Sequence, residues 1–215
     1  MSIISKFQLK SRNRKFELFF KEINPGAEDI ILNVGAIPRV SWSGPEQLED
    51  NYPWPTQILG GGNEVEGIFE YRKCYPESGA IVFDGCYLPF KDNSIDTIFS
   101  NAVIEHLETF ENQRLFAQEI KRVGKKWFIT TPNFWFPIEL HYRLPFIHWF
   151  PKKTQFYLKK FIGGRFPRGV FFNELCLLSR TKLKKLFPDS TVIKQRITLY
   201  PETLISYYNG KLSAK

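Results

Sequence analysis

Short apolar runs that end in glycine or a polar residue alternate with helical patterns, and this alternation constrains the fold more than any other feature. Five runs predict buried strands, at 29–35, 56–61, 79–84, 95–100 and 126–131. Between the last two, Phe116, Ile120 and Val123 form one apolar helical stripe. Thr109 is placed to cap this helix and Gly124 to end it in a left-handed turn. Strands alternating with helices predict a mostly parallel sheet with helices on both faces.

The charge of the chain is unevenly spread over what we expect to be one domain, residues 1–215. The net charge is +8, but residues 1–150 carry 16 basic and 19 acidic side chains, whereas residues 151–215 carry 14 and 3. A hydrophobic content of 43% excludes a disordered chain. The basic third predicts an anionic partner, which is a nucleic acid, a membrane surface or a phosphorylated substrate.

The start of the chain and its cysteines exclude other classes of protein. We interpret residues 1–15 as a basic N-terminal arm or a short first helix. They show no secretory signal, and no apolar run is long enough for a membrane span. The three cysteines form no C-x-x-C pair, so neither a disulfide framework nor a metal site is expected. We expect a cytoplasmic protein, with peripheral contact at the inner membrane surface left open.

Polar and small residues follow the predicted strands, at the edge where parallel sheets bind ligands. Gly35 either lets the backbone approach a ligand or only makes a tight turn. Asp84 can accept hydrogen bonds from a ligand or hold its own loop in an Asx turn. Ser100 and Asn101 offer short polar groups, and Ala102 allows close approach.

Residues 81–107 carry a resemblance to a known family. An acidic strand end is followed by Leu-Pro-Phe, then by Asn-Ser-Ile-Asp, a strand and a His-Leu pair. This order resembles the central signature of class I S-adenosylmethionine-dependent methyltransferases of the type 11 kind. Residues 32–35 resemble the family's first glycine motif, Thr131-Pro-Asn133 fits the end of strand five, and 177–188 resembles a late helix. The resemblance spans about residues 28–207.

The resemblance implies a Rossmann-like, doubly wound sheet of seven strands with one antiparallel strand, and S-adenosylmethionine as the cofactor. The cofactor's amino-acid portion would lie near the first glycine motif, and its adenine near the end of strand three. The implied cofactor-binding residues are Asn33, Gly35, Ala36, Gly61, Asp84, Gly85, Cys86, Ser100, Asn101, Ala102 and His106.

Two positions depart from the family's pattern. The usual Asp-x-Gly-x-Gly reads Asn33-x-Gly35-x-Ile37, and a carboxamide at 33 can hydrogen-bond but cannot offset a ligand's charge. In place of the acid that usually ends strand two and holds the ribose, the sequence reads Gly60-Gly-Gly-Asn63, with Glu64 and Glu66 just beyond. These departures favour one alternative function, a catalytically inactive binding protein on the same scaffold.

The stretch after strand five predicts the substrate side, within an aromatic and basic insertion at 133–170. Glu139, His141 and Arg143 place an acid, a base and a cation in one short loop, and His141 is our predicted catalytic base. The predicted reaction is methyl transfer to a small-molecule acceptor, a sugar or lipid-linked glycan hydroxyl. The basic, aromatic residues after Pro151 suit either docking on an anionic membrane or a helix with water-facing lysines.

An RNA-binding methyltransferase is the remaining alternative. The basic third favours it, and binding would then weaken steeply with salt. The motif of base-amino methyltransferases is absent, however, because Asn133 stands where its second proline would be. We therefore do not expect nucleic acid as the partner.

Overall fold

A seven-stranded sheet forms the centre of the protein in a computed structural model that describes residues 3–38, 47–139, 144–151, 153–154, 157 and 175–211. Its strands are β1 (Ile31–Val34), β2 (Ile58–Gly62), β3 (Gly79–Val82), β4 (Ile95–Asn101), β5 (Gly124–Pro132), β8 (Thr191–Gln195) and β9 (Thr203–Tyr208). A two-stranded hairpin, β6 (Ile138–Glu139) with β7 (Leu144–Pro145), lies apart from it.

The strand order is β3-β2-β1-β4-β5-β9-β8, and β9 runs antiparallel to both of its neighbours. The other pairs in the sheet are parallel. The predicted Rossmann-like fold, with seven strands of which one is antiparallel, is therefore confirmed. The five predicted strands coincide with β1 to β5, with ends shifted by at most two residues.

Five helices are described: α1 (Ile3–Ile23), α2 (Leu48–Asn51), α3 (Val65–Cys74), α4 (Phe110–Val123) and α5 (Arg180–Leu186). Short 3-10 turns lie at Pro55–Gln57, Ile104–His106 and Ile147–Trp149. The basic residues expected to form an arm or a short helix belong, from Ile3 on, to the 21-residue helix α1. None of the described helices is both long and apolar enough to cross a membrane.

Both faces of the sheet are covered by apolar side chains. On one face Phe19 of α1 is fully buried, with its ring centre 5.1 Å from that of Phe99 and 5.5 Å from that of Phe128. On the other face Phe116 and Ile120 of α4 pack into the larger core cluster. Burial of each such side chain contributes about 1.5–3 kcal/mol to stability.

The two ends of α4 are determined by different kinds of contact: a local hydrogen bond at its start and packing against another strand at its end. The Thr109 hydroxyl accepts a hydrogen bond from the Asn112 amide at 3.1 Å, which confirms the predicted cap. The predicted left-handed turn at Gly124 is wrong, because its φ is −93° and it begins β5 directly. A Cβ at this position would lie 2.8 Å from the Ile98 side chain. Close packing against β4 therefore requires the glycine.

Candidate functional site

A cavity of about 580 Å³ lies at the carboxyl ends of β1, β2 and β4, where the strand order reverses. Open α/β sheets bind ligands at this point, and the volume is that of a typical small-molecule site. Its lining comes from α1, from both glycine-containing strand ends and from the turn after β4: Arg12, Phe16, Asn33, Gly35, Ala36, Ile37, Pro38, Gln47, Leu48, Asn63, Glu64, Gly67, Ile68, Phe99, Asn101, Ala102, Val103 and His106.

The turn after β1 depends on Gly35. Its φ is +83°, and a Cβ there would lie 2.2 Å from Cγ2 of Val103. The Gly35 and Ala36 amides both donate to the Gly61 carbonyl, at 2.8 and 3.1 Å. The glycine thus makes a tight turn and also lines the cavity, while the close approach of its backbone to a ligand stays a prediction.

The turn after β4 forms the opposite wall. Ala102 has a φ of +59°, a conformation that a residue with a side chain adopts at a cost of about 1–2 kcal/mol. Its amide donates to the Thr130 carbonyl at 3.1 Å. This turn brings Val103 against Gly35, so the two strand ends close around one space.

Helix α1 brings a lysine to the same wall. Lys15 Nζ donates to Oδ1 of Asn101 at 3.0 Å, and Thr130 Oγ1 donates to the same oxygen at 2.7 Å. Burial lowers the pKa of Lys15 to about 8, although the carboxylates of Glu105 and Glu202 oppose the shift. A fraction of this amine is therefore neutral near pH 8 and able to accept a proton.

Two buried carboxylates lie beneath α1. Glu105 Oε2 accepts a hydrogen bond from Thr131 Oγ1 at 3.0 Å. Glu202 Oε1 accepts from Ser11 Oγ at 3.4 Å and from Gln195 Nε2 at 3.3 Å. Both acids are almost fully buried, so the positive charges of α1 and these negative charges face one another in a region of low dielectric.

A third buried carboxylate lies on the other side of the cavity, behind β1. Glu49 of α2 accepts hydrogen bonds through Oε1 from Asn33 Nδ2 at 2.7 Å and from the Tyr71 hydroxyl at 2.8 Å. Burial raises the pKa of Glu49, and the nearby charge of Asp50 raises it further. The carboxamide that replaces the expected strand-one acid is thus itself bonded to an acid.

Six of the predicted cofactor-binding residues line the cavity together: Asn33, Gly35, Ala36, Asn101, Ala102 and His106. The other five do not line it. Asp84 Oδ1 accepts from the Cys86 amide at 2.8 Å, which is the Asx turn left open by the sequence. A Cβ at Gly85 would lie 3.0 Å from Phe116, and Ser100 is fully buried within β4. The Gly61 carbonyl accepts the hydrogen bonds of the turn after β1.

Several site residues had no motif to mark them. Arg12 and Phe16 line the cavity from α1, and Lys15 of the same helix bonds to Asn101. The apolar spacing of Phe16, Phe19 and Ile23 is the signal that could have predicted this helix. Glu49 follows no recognisable pattern at all. His141, the predicted base, lies outside the described residues.

Comparison with known families finds a match over part of the chain. A family model described as a methyltransferase domain matches residues 65–127. The matched segment runs from α3 into β5, so this part of the chain is similar to a methyltransferase domain. No curated protein matches the sequence. Within the described residues, no group of three or more acidic, histidine or cysteine side chains is placed to hold a metal ion.

Several solved structures share the fold of this chain at low sequence identity. The PH0226 protein from Pyrococcus horikoshii has a TM-score of 0.60 and 16% identity, over 94% of this chain and 91% of the other. Magnesium protoporphyrin IX methyltransferase from Synechocystis, solved with S-adenosylhomocysteine, has values of 0.54 and 13%, over 95% and 83%. Phosphoethanolamine N-methyltransferase 2 from Haemonchus contortus, solved with S-adenosylhomocysteine, has 0.55 and 15%, over 85% and 39%.

The cavity, of about 580 Å³, has room for S-adenosylmethionine, the cofactor that the sequence resemblance implies. Gly35 leaves its floor open, since any side chain there would collide with Val103. Asn63 and Glu64 line the end of β2, next to the glycine that replaces the usual ribose-binding acid. Ile37, which is half exposed, lies in the cavity lining together with Pro38 and leaves the 580 Å³ space intact.

Proposed function

We propose that the protein methylates a hydroxyl group of a sugar or of a lipid-linked glycan. The observation that supports this most is the position of Lys15, whose amine is held by Asn101 where the turn after β4 lines the cavity. A hydroxyl group must lose its proton as it is methylated, and an amine with a pKa of about 8 is suited to accept it.

The chemistry requires positioning and one proton transfer. When bound, S-adenosylmethionine supplies a methyl group on a positively charged sulfur. The turns at Gly35 and Ala102 orient this end of the cavity, and such orientation is the main requirement of an in-line displacement. Lys15 Nζ in its neutral form would take up the proton that the acceptor oxygen loses as it receives the methyl group. Glu105 and Glu202 then stabilise the resulting ammonium group.

Exposed aromatic residues after β5 support a sugar-bearing acceptor. Trp135 is 63% exposed, and its ring centre lies 6.2 Å from that of Trp149. Phe146 lies 5.1 Å from the same Trp149 ring, and the Phe134 carbonyl accepts hydrogen bonds from Trp149 Nε1 and His148 Nε2. Flat aromatic faces with polar edges suit sugar rings, which have apolar faces and polar rims. We call Trp135, Phe146 and Trp149 the aromatic platform.

The aromatic platform and the basic third of the chain support contact with an anionic membrane, where lipid-linked glycans are found. Exposed apolar patches of this kind mark interaction surfaces, and lysines near them add attraction to anionic lipid. Leu178 pairs with Asn133 near the platform, and α5 begins two residues later with Arg180, followed by Lys182 and Lys184. This proposal places the protein on the cytoplasmic side of a membrane.

Transfer of labelled methyl groups tests the proposed acceptor. The purified protein is incubated with methyl-labelled S-adenosylmethionine and, separately, with lipid, glycan and RNA fractions of a cell extract. We expect label in the lipid or glycan fraction that survives mild alkali, because an ether is stable there and a methyl ester is not. Label in RNA would support the nucleic-acid alternative instead. Cofactor binding without label in any fraction would identify a catalytically inactive binding protein.

The two candidate bases are compared in the same assay. Lys15→Arg keeps the charge but cannot accept a proton near neutral pH, so we expect it to abolish transfer. His141→Asn tests the base predicted from the sequence, which remains a prediction. Loss of transfer in His141→Asn, with full activity in Lys15→Arg, would reverse our assignment of the proton acceptor.

Sedimentation with vesicles tests the membrane contact. We expect binding to mixed phosphatidylcholine and phosphatidylglycerol vesicles and little to phosphatidylcholine alone. Trp135→Ala should weaken binding by about 5-fold or more, because an aromatic ring contributes over 1 kcal/mol at a membrane interface. Phe69→Ala is the matched control, since Phe69 is 66% exposed on α3, away from the platform. Equal binding to both kinds of vesicle, or equal effects of the two variants, would contradict the proposal.

A further inference from the structure

Glu49 is a buried acid that the proposed transfer reaction does not use. It is 7% exposed, and its Oε2 atom has no hydrogen-bond partner. Among the described residues no lysine, arginine or histidine pairs with it; both of its hydrogen bonds come from the neutral donors Asn33 and Tyr71. A buried carboxylate without a cation is costly, because burial disfavours the charged form. Such a cost is compensated where a cationic ligand binds nearby.

The positively charged end of the proposed cofactor would lie near Glu49. Glu49 directly follows Gln47 and Leu48, which line the cavity, and its partner Asn33 lines it as well. Because Nδ2 of the Asn33 side chain donates to Glu49, the oxygen of the same side-chain amide, Oδ1, is left to accept a hydrogen bond from a ligand. The amino-acid end of the cofactor carries an ammonium group, and in S-adenosylmethionine the sulfur beside it is also positive.

We infer that Glu49, acting through Asn33, is the positioning acid for the positively charged amino-acid end of the cofactor. In this arrangement the negative charge lies one side chain deeper than in an enzyme whose first strand itself ends in an acid. Asn33 makes the contact, Glu49 supplies the charge, and Tyr71 holds Glu49 from the opposite side. The inference rests on cofactor binding in this cavity, as the proposed function does.

Calorimetry with two ligands tests the inference without any acceptor. S-adenosylhomocysteine has the amino-acid end, whereas 5′-methylthioadenosine lacks it. Glu49→Gln should weaken S-adenosylhomocysteine binding by about 10-fold and methylthioadenosine binding by less than about 2-fold. Asp50→Asn is the matched control, because it removes a neighbouring acid on the same helix that does not contact Asn33. It should leave both affinities within about 2-fold.

Proton release gives a second readout that a structural role would not change. A bound cation favours the ionised carboxylate, so it lowers the pKa of Glu49 and releases a proton on binding. Tyr71 on α3 and Asp50 on α2 are the other titratable groups that face Glu49. Titrations in two buffers of different ionisation enthalpy should detect release by the wild type near the raised pKa of Glu49. The Glu49→Gln variant should release none.

A charge swap completes the test. Asn33→Asp combined with Glu49→Gln returns the acid to the strand, and we expect it to restore the affinity that Glu49→Gln loses. A thermal unfolding temperature of Glu49→Gln equal to or above that of the wild type shows that the variant folds. Equal weakening of both ligands by Glu49→Gln, or no weakening, would overturn the inference. Binding of neither ligand by the wild type would instead overturn cofactor binding itself.

Discussion

The two sides of the cavity hold buried charge in opposite ways. On the side of β1 and β2, Glu49 has only neutral hydrogen-bond donors, and burial raises its pKa. On the side of β4 and β5, Lys15 faces Glu105 and Glu202, and burial still lowers its pKa to about 8. The first side is therefore suited to a cation, and the second to a proton. The strand-end motifs shape the backbone, whereas Lys15 and Glu49 come from helices α1 and α2.

The largest effect is expected at the backbone turn that joins the two sides. Gly35→Val places a side chain at φ +83° and within 2.2 Å of Val103, so it should abolish detectable S-adenosylhomocysteine binding. It should also destabilise the protein by about 3 kcal/mol. Gly62→Ala is the control, because its nearest neighbour would be Ile68 at 3.9 Å. Normal binding by Gly35→Val in calorimetry would contradict the role of this turn.

Substitution of Lys15, on the β4 and β5 side of the cavity, should change methyl transfer more than it changes the free energy of unfolding. Lys15→Met should reduce methyl transfer by about 100-fold or more, as expected for loss of a general base. Between pH 8 and 10.5 the folded wild type binds fewer protons than the unfolded chain, so its stability rises with pH there. Lys15→Met should therefore be more stable near pH 7, by about 2 kcal/mol, and this advantage should shrink towards pH 10.5.

Denaturation curves at several pH values, together with the transfer assay, measure both effects. Lys15→Arg is the control, since it should lose activity without the gain in stability near pH 7. A Lys15→Met protein that keeps full activity, or whose stability relative to the wild type does not depend on pH, would show that Lys15 is an ordinary surface lysine.

The smallest effect is expected at the link between α1 and β9. The Tyr207 hydroxyl donates to Glu22 Oε2 at 2.9 Å, well away from the cavity. Tyr207→Phe should cost about 1 kcal/mol in the free energy of unfolding and leave the affinity for S-adenosylhomocysteine unchanged. Chemical denaturation and calorimetry measure these two quantities. A clear loss of affinity would mean that the position of α1 depends on this single bond.

Local patterns in the sequence predicted most of the sheet and α4, because their signals are carried by neighbouring residues. The Thr109 cap, for example, needs only the amide three residues later. Gly124 was predicted as a turn because its actual reason, the side chain of Ile98, lies on a different strand. Asp84 shows the reverse case, since a local Asx turn uses the carboxylate that the family pattern assigns to the cofactor.

The sequence predicts the site residues that lie at strand ends, but it does not predict the charged residues that lie beside the cavity. Gly35, Asn101 and Ala102 lie at strand ends, and the strands themselves indicate that position. Lys15 and Glu49 contact the cavity-lining residues Asn101 and Asn33 only because α1 and α2 pack against the sheet. Their roles depend on burial, and burial follows from contacts between residues that are distant in sequence.

Several contacts that hold α1 in place come from residues 195–207, which follow α1 by more than 170 positions in the sequence. Gln195 Nε2 donates to the Ser11 carbonyl at 3.0 Å, Tyr207 bonds Glu22, and Ile205 packs in the same apolar cluster as Phe19. During synthesis, a nascent chain therefore cannot close the wall that carries Arg12 and Lys15 until β9 has left the ribosome. A chain cut before β9 would therefore retain the glycine turn of the cavity without its α1 wall.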